Sequence, residues 1–211
     1  MVRVIRHAPP QILTNKAATW TAELLRENDP GRKKTIVKRY SNRQIQKALR
    51  DMFHEKCAFC ERKLTRGAPI EHFRPRKTYP HLTFEWTNLL WACGTCNGYK
   101  SDKFPATRTG DSIIDPSFED PTPHLKVIID YKTQWVSIYG TDERGELTVE
   151  LVQLNNTLLR QIRFDFIRKL QFIARKASDD LEAKEIFDDA FEDEAEFLAC
   201  TRALVHLPNF I

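Results

Sequence analysis

Two groups of residues in this 211-residue chain have the types and spacing to do chemistry. Cys57 and Cys60 form one Cys-x-x-Cys pair, Cys93 and Cys96 form a second, and 32 residues lie between the pairs. Each pair can fold as a tight knuckle presenting two thiolates, and two knuckles close a tetrahedral site with no open position. Four soft thiolates select Zn²⁺, so the expected role is structural: a zinc ion stapling a segment with few apolar residues of its own. Four unrelated buried cysteines are the plainer explanation, and the repeated spacing argues against it. Cys200 has no such companion and is expected to be a spare, buried thiol.

The second group lies between and just after the knuckles: Glu71 and His72 in IEHFRPR, Asn88 in TNLLWAC, then Asn97, Lys100 and Asp102 in CNGYKSD. A carboxylate beside a histidine offers an oxygen donor for a hard cation and a base whose unperturbed pKa, near 6.5, suits proton transfer at neutral pH. The same pair can be an ordinary polar strand end, Asn88 an ordinary turn residue, and Asn97-Gly98 an ordinary helix end. A regular strand would also turn Glu71 and His72 to opposite faces. A shared site therefore requires a strand end or a bulge there, and Pro75, with no N–H for a ladder, fits a strand that stops at about Phe73.

Set against the four cysteines, this order resembles the HNH nuclease motif, a ββα-metal finger in which two strands and a helix frame one divalent cation. The resemblance implies His72 as general base, Asn88 as the residue bracing the loop and orienting that histidine, and Lys100 as a further member of the catalytic set. It implies Glu71 and Asn97 as ligands of a catalytic Mg²⁺ or Mn²⁺, distinct from the structural Zn²⁺ of Cys57, Cys60, Cys93 and Cys96. Arg74 and Arg76, with Lys100, are placed to contact the phosphates flanking a cut. Further strings, VRVIRHAPP, CAFCERKL, IEHFRPRKTYP, FEWTNLLWAC, IIDPSFEDP and LVQLNNTLLRQIR, resemble the PtuB-like HNH subunits of Septu and retron-linked anti-phage defence systems. That likeness extends to about residue 170. It implies an endonuclease effector of DNA or RNA acting beside an ABC-type ATPase, in some cases with a retron reverse transcriptase and its noncoding RNA. Two readings without catalysis stay open: a zinc-ribbon nucleic-acid-binding module with vestigial catalytic residues, and a structural adaptor to the ATPase.

The expected fold class is α+β, a zinc-stapled, treble-clef-like ββα-metal finger with flanking helices and a small antiparallel strand region. The length suits one functional unit. Three stretches are expected within it: a basic N-terminal arm and helix over 1–56, the finger over 57–110, and accessory strands and helices with an acidic C-terminal segment over 111–211. Net charge is +4, yet residues 1–110 carry 22 Lys/Arg against 9 Asp/Glu, and residues 111–211 carry 11 against 20. The first half would attract a polyanion, and the second reads as a protein-docking surface.

Ser41 is a good helix cap, and Ile45, Leu49, Met52 and Phe53 at helical spacing predict a helix over 41–56 that delivers the chain to Cys57. Before it, GRKKTIVKRY (31–40) concentrates five basic residues in ten, and prolines 9, 10 and 30 predict an irregular 1–30 apart from a short helix near Ala17 to Glu27. LKVIID, QWVSIY and LTVELV predict three short strands, with GTDERGE as the last turn. From Asn155 the apolar spacing predicts a long amphipathic helix, followed by a helical acidic segment, DDLEAKEIFDDAFEDEAEF. Trp86, Leu89, Leu90 and Trp91 are expected in the core. No apolar run approaches the roughly 20 residues that span a bilayer, and MVRVIRHAPPQIL lacks the apolar core of a signal peptide, so the expected location is the cytoplasm and no membrane contact is expected.

Overall fold

Prolines at the N-terminal end of the chain open helices rather than interrupt them. In the computed structural model, which describes residues 1–64 and 67–207, α1 spans Gln11–Arg26 directly behind Pro10. Helix α2, Pro30–Val37, begins on Pro30, whose fixed φ and missing N–H suit a first helical position. Asp29 caps it, accepting from the Arg32 N–H at 2.7 Å. The short helix expected near Ala17 to Glu27 thus forms but starts earlier, at Gln11, and residues 1–10 stay irregular. A 3₁₀ turn over Lys38–Ser41 leads to α3, Arg43–Met52. Its cap is Asn42 and not the expected Ser41, and it stops short of residue 56 because His54 and Glu55 take positive φ angles of 51° and 58°. Ile45, Leu49, Met52 and Phe53 are all buried, as their spacing requires.

The strands β1 (Ile70–His72) and β2 (Leu89–Trp91) pair antiparallel, and α4 (Gly94–Lys100) follows at once. A separate hairpin pairs β3 (Leu125–Asp130) with β4 (Trp135–Gly140). The third expected strand, LTVELV, is instead the body of helix α5, Glu143–Leu151. Asp142 caps that helix by accepting from the Gly145 N–H at 2.8 Å, and Glu143 and Glu146 suit the positive end of its dipole. Its buried residues, Gly145, Thr148 and Leu151, recur every third position, a helical spacing that the alternation of Leu147, Val149 and Leu151 hides. Thr148 is satisfied on both sides, donating to the Arg144 carbonyl at 2.7 Å and accepting from the Ile114 N–H at 2.9 Å.

Helices α6 (Thr157–Lys176), α7 (Leu181–Asp189) and α8 (Leu198–Leu204) complete the mixed α+β fold. The acidic stretch is helical only as far as Asp189 before it breaks into turns. Positions 65, 66 and 208–211 of the expected finger and C-terminal stretches lie outside the described residues. Among those described, no helix is long and apolar enough to cross a membrane.

One core runs from α1 and α3 through both knuckles, β1 and β2, and reaches Ile114, Ile138 and Leu159. A second gathers Val136, Phe164, Ile167, Leu170, Phe197, Cys200 and Leu204. The segment between the cysteines is not poor in apolar contacts, as expected from its sequence, because Phe59, Phe84, Leu89 and Leu90 are each 0% exposed. Each such side chain contributes about 1.5–3 kcal/mol by burial, so the four thiols act with a hydrophobic core and not in place of one.

The hairpin's exit makes a testable demand. A Cβ on Gly145 would overlap the His124 carbonyl oxygen and stand 2.9 Å from the Gly140 Cα. Gly145→Ala is expected to lower stability by about 1–3 kcal/mol or more through overpacking against backbone that cannot yield, read as a lower urea midpoint with an unchanged slope. An unchanged midpoint would show that the α5 start and the β3 entry are not in this contact.

Candidate functional site

The ligand atoms of Cys57, Cys60, Cys93 and Cys96 all lie within 4.8 Å of one another, and all four residues are buried. Cys60 Sγ is 3.9 Å from Cys93 Sγ, near the roughly 3.8 Å that separates two sulfurs bound tetrahedrally to one zinc at 2.3 Å. Backbone donors point at the sulfurs, as thiolates require: Cys93 N–H to Cys57 Sγ and Cys96 N–H to Cys93 Sγ, both at 3.3 Å. Geometry and chemistry both fit Zn²⁺. Cys200 is apart from this group, fully buried, its pKa pushed up to about 12 by burial.

Beside the knuckles, β1 and β2 pair in unbroken register, Ile70 with Trp91, Glu71 with Leu90 and His72 with Leu89, so there is no bulge. The strand ends at His72, and the Phe73 N–H still donates to the Asn88 carbonyl at 2.9 Å. In a regular pleat the side chains of Glu71 and His72 leave on opposite faces, and each finds its own partners.

Glu71 meets α4. Its carboxylate accepts from the Lys100 ammonium at 2.6 Å, and the same ammonium donates to the His72 carbonyl at 2.9 Å. Lys100 is 0% exposed and Glu71 4%. Burial pushes the Glu71 pKa up to about 6 against the pull of Lys100, and burial lowers that of Lys100 against the pull of Glu71. Asn97 lies one turn earlier on α4, half-buried, its side-chain amide without a hydrogen-bond partner among the described residues. A carboxylate and an amide oxygen are donors suited to Mg²⁺, and here the carboxylate is already matched by an ammonium.

His72 meets other groups. Its Nε2 is 3.0 Å from the Thr83 carbonyl, which can only accept, so Nε2 carries the proton and Nδ1 presents a lone pair with no partner among the described residues. Tyr40 stands edge-on to the ring at a centroid distance of 4.6 Å. Burial lowers the ring's pKa to about 4, opposed by the Thr83 bond, so the imidazole is neutral at pH 7. Asn88 holds the loop that supplies this carbonyl: it accepts from the Arg74 N–H at 2.7 Å and donates to the carbonyls of Arg74 and of Leu82, next to Thr83, at 3.0 and 3.1 Å. It acts on the loop around His72 and not on the ring.

The two arginines part company. Arg74 lies over the rings of Tyr79 and Phe104, at 5.7 and 5.3 Å, and borders a cavity of about 930 Å³ shared with Phe73 and Asn88. Arg76 lies over Tyr40 at 5.8 Å and borders a different cleft of about 720 Å³. The structure therefore joins Glu71 to Lys100, and His72 to Thr83 and Tyr40. Sequence reasoning missed Thr83 and Tyr40: a backbone carbonyl leaves no trace in residue type, and Tyr40 ends a basic run whose direction in space was unknown.

No family model matches the chain. Two curated Septu proteins named PtuB are similar to it. The one from Bacillus thuringiensis is 33% identical over 162 residues, covering 74% of this chain and 55% of that protein. The one from Bacillus mycoides (strain KBAB4) is 28% identical over 236 residues, covering 88% of this chain and 78% of that protein. The chain thus spans little more than half the length of the first relative.

Two outcomes follow from this geometry. The purified protein is expected to carry one zinc per chain by elemental analysis, and Cys57→Ser or prolonged chelation to lose it together with near-UV circular dichroism; a metal-free protein of unchanged melting temperature would refute a structural zinc. Without added divalent cation, Lys100→Met is expected to destabilise the fold by about 3–5 kcal/mol at pH 8, because it strands a buried carboxylate. Losing the ammonium raises the Glu71 pKa beyond about 6, so the folded state binds that proton more tightly than the unfolded chain. The variant's stability should therefore recover as pH falls from 8 toward 5, and Lys100→Met/Glu71→Gln should remove that dependence.

Proposed function

We propose, from its similarity to the two PtuB proteins, that the chain is a metal-dependent HNH endonuclease, the effector subunit of a Septu anti-phage defence system. The observation that carries this reading is the state of His72: a neutral imidazole whose proton is held at Nε2 by Thr83, leaving Nδ1 as a base, beside a β-β-α unit joined to a four-thiol site. In this reading His72 Nδ1 takes a proton from water as the water oxygen bonds to phosphorus and the bond from phosphorus to the 3′ oxygen breaks. A ring with a pKa of about 4 is a weak base alone, and an arriving phosphate raises it by favouring the charged imidazolium. Asn88 keeps the loop carrying Thr83 in place, and through it the tautomer. Glu71 and Asn97 are the donors that would hold a divalent cation, whose charge would stabilise phosphate and leaving group, but β1 turns Glu71 to the face opposite His72 and Lys100 occupies its carboxylate, so the proton transfer at His72 does not run through that ion. Arg76 borders the cleft next to His72, and Arg74 the neighbouring cavity, each a phosphate contact in this scheme.

The partner in this reading is an ABC-type ATPase, docked on the acidic second half, with a retron reverse transcriptase and its noncoding RNA as a further associate and the cytoplasm as the site of action. One observation favours a second reading, a zinc-stabilised nucleic-acid-binding module or adaptor without catalysis: the ammonium of Lys100 already neutralises the carboxylate that a catalytic cation would need.

The protein, co-purified with the neighbouring ATPase and supplied with Mg²⁺ and either DNA or RNA including tRNA, is expected to cut one of these. His72→Ala should slow cutting about 10²–10⁴-fold with zinc content and circular dichroism unchanged. Cutting by that variant at the wild-type rate would end the proposed mechanism, and binding by a wild type that never cuts would favour the module.

A further inference from the structure

The basic run at 31–40 is absorbed by none of the roles above, and the structure gives it a place. Lys33, Lys34 and Lys38, on α2 and the turn that follows it, form one wall of the 720 Å³ cleft, and Arg76 and Lys77, from the loop after β1, form the other. Tyr40 and Thr83, both of which touch the His72 ring, line the same cleft. Its one acidic lining residue is Asp102, 3.8 Å from Lys77. Lys33, Lys34, Lys38 and Arg76 are exposed and have no ion-pair partner among the described residues. Arg39, in the same run, is different: it is bonded to Glu23 at 2.9 Å and lies over Trp20 at 5.9 Å, pointing away from this role.

Like charges one helical turn apart, as at Lys34 and Lys38, repel each other, and a concave surface of a single sign focuses its field into the cleft. The cations come from two separate stretches of chain, α2 with the turn after it and the loop after β1, and five of them against one carboxylate suit a ligand that carries several negative charges. We infer that the cleft between α2 and the Arg76–Lys77 loop is the track for the phosphodiester backbone of a nucleic-acid strand, gripped by Lys33, Lys34 and Lys38 opposite Arg76. This deepens the nuclease reading and rests on it for one point only, that a strand lying in the track brings a phosphate over Tyr40 and Thr83 to the His72 ring. The grip itself is backbone-directed and blind to sequence. It assigns a binding role to helices outside the finger.

The test is binding of fluorescent single-stranded DNA, duplex DNA and single-stranded RNA across a KCl series, with full-length protein in a His72→Ala background so that cutting cannot intervene. Lys33→Gln/Lys34→Gln/Lys38→Gln is compared with a control of equal charge loss on α6, Arg168→Gln/Lys169→Gln/Arg175→Gln. The first variant should weaken binding tenfold or more at 0.1 M salt, and the slope of log K against log salt should fall by about 2–3, one step of 0.7–0.9 for each phosphate contact removed. Arg76→Gln alone should lower the slope by about one such step, and the α6 control should change neither quantity. Matching melting temperatures exclude misfolding of these exposed-site variants. Equal losses in the two triple variants, or no loss in the first, overturn the track even if the wild type cuts; a track confirmed in a protein whose wild type never cuts upholds it while sinking the nuclease reading.

Discussion

Four sulfur atoms within 4.8 Å of one another set the position of nearly everything else that matters between Cys57 and Lys100. They join the chain just after α3 to the start of α4 across 32 residues, a closure that encloses the β1–β2 pair. Because Cys93 is both a member of the cluster and the cap of α4, the helix can start in only one place and one direction. Lys100 at its far end then reaches back to β1. The cysteine site and the surrounding apolar residues are continuous, with Phe59, Leu89, Leu90 and Trp91 in the same core, so loss of the cluster would be felt in the packing of α3 as well.

Strand geometry divides the remaining chemistry in two. Since β1 is regular, Glu71 and His72 look in opposite directions, one into a buried ion pair and the other toward an exposed cleft through Tyr40 and Thr83. Burial acts on both with opposite chemical consequences, raising the acid to about 6 and lowering the base to about 4. Adjacent residues thereby acquire different protonation behaviour with no direct contact between them. The ammonium of Lys100 is the link, bonded to the side chain of one and the carbonyl of the other.

Legibility in the sequence followed how local each determinant is. The cysteine spacing, the apolar periodicity of α3 and α6, and the alternation in β3 and β4 are short-range signals, and each element formed where its signal lies. LTVELV misled because its alternating apolar residues were stronger than the cap at Asp142, and because the reason for a helix there, the close approach of Gly145 to His124 and Gly140, spans 21 residues of chain at its widest. Glu71, Lys100, Asn88 and Asn97 were identifiable as a set, but not who meets whom. Thr83 could not be found by residue type, since it serves through its carbonyl, and the separation of Arg74 from Arg76 depends on which ring each guanidinium finds, Tyr79 and Phe104 or Tyr40.

The contact of Tyr40 with the His72 ring has a mechanical consequence. Tyr40 belongs to the segment that continues α2, and α2 is seated on α1, whereas His72 and Thr83 lie between the two cysteine pairs. The imidazole is therefore walled by residues from two stretches of chain that share one core, because α1 packs on the 3₁₀ turn Pro80–Leu82, next to Thr83, as well as on α2. A change in how α2 is seated would reach the ring through Tyr40 without touching any of the proposed catalytic groups.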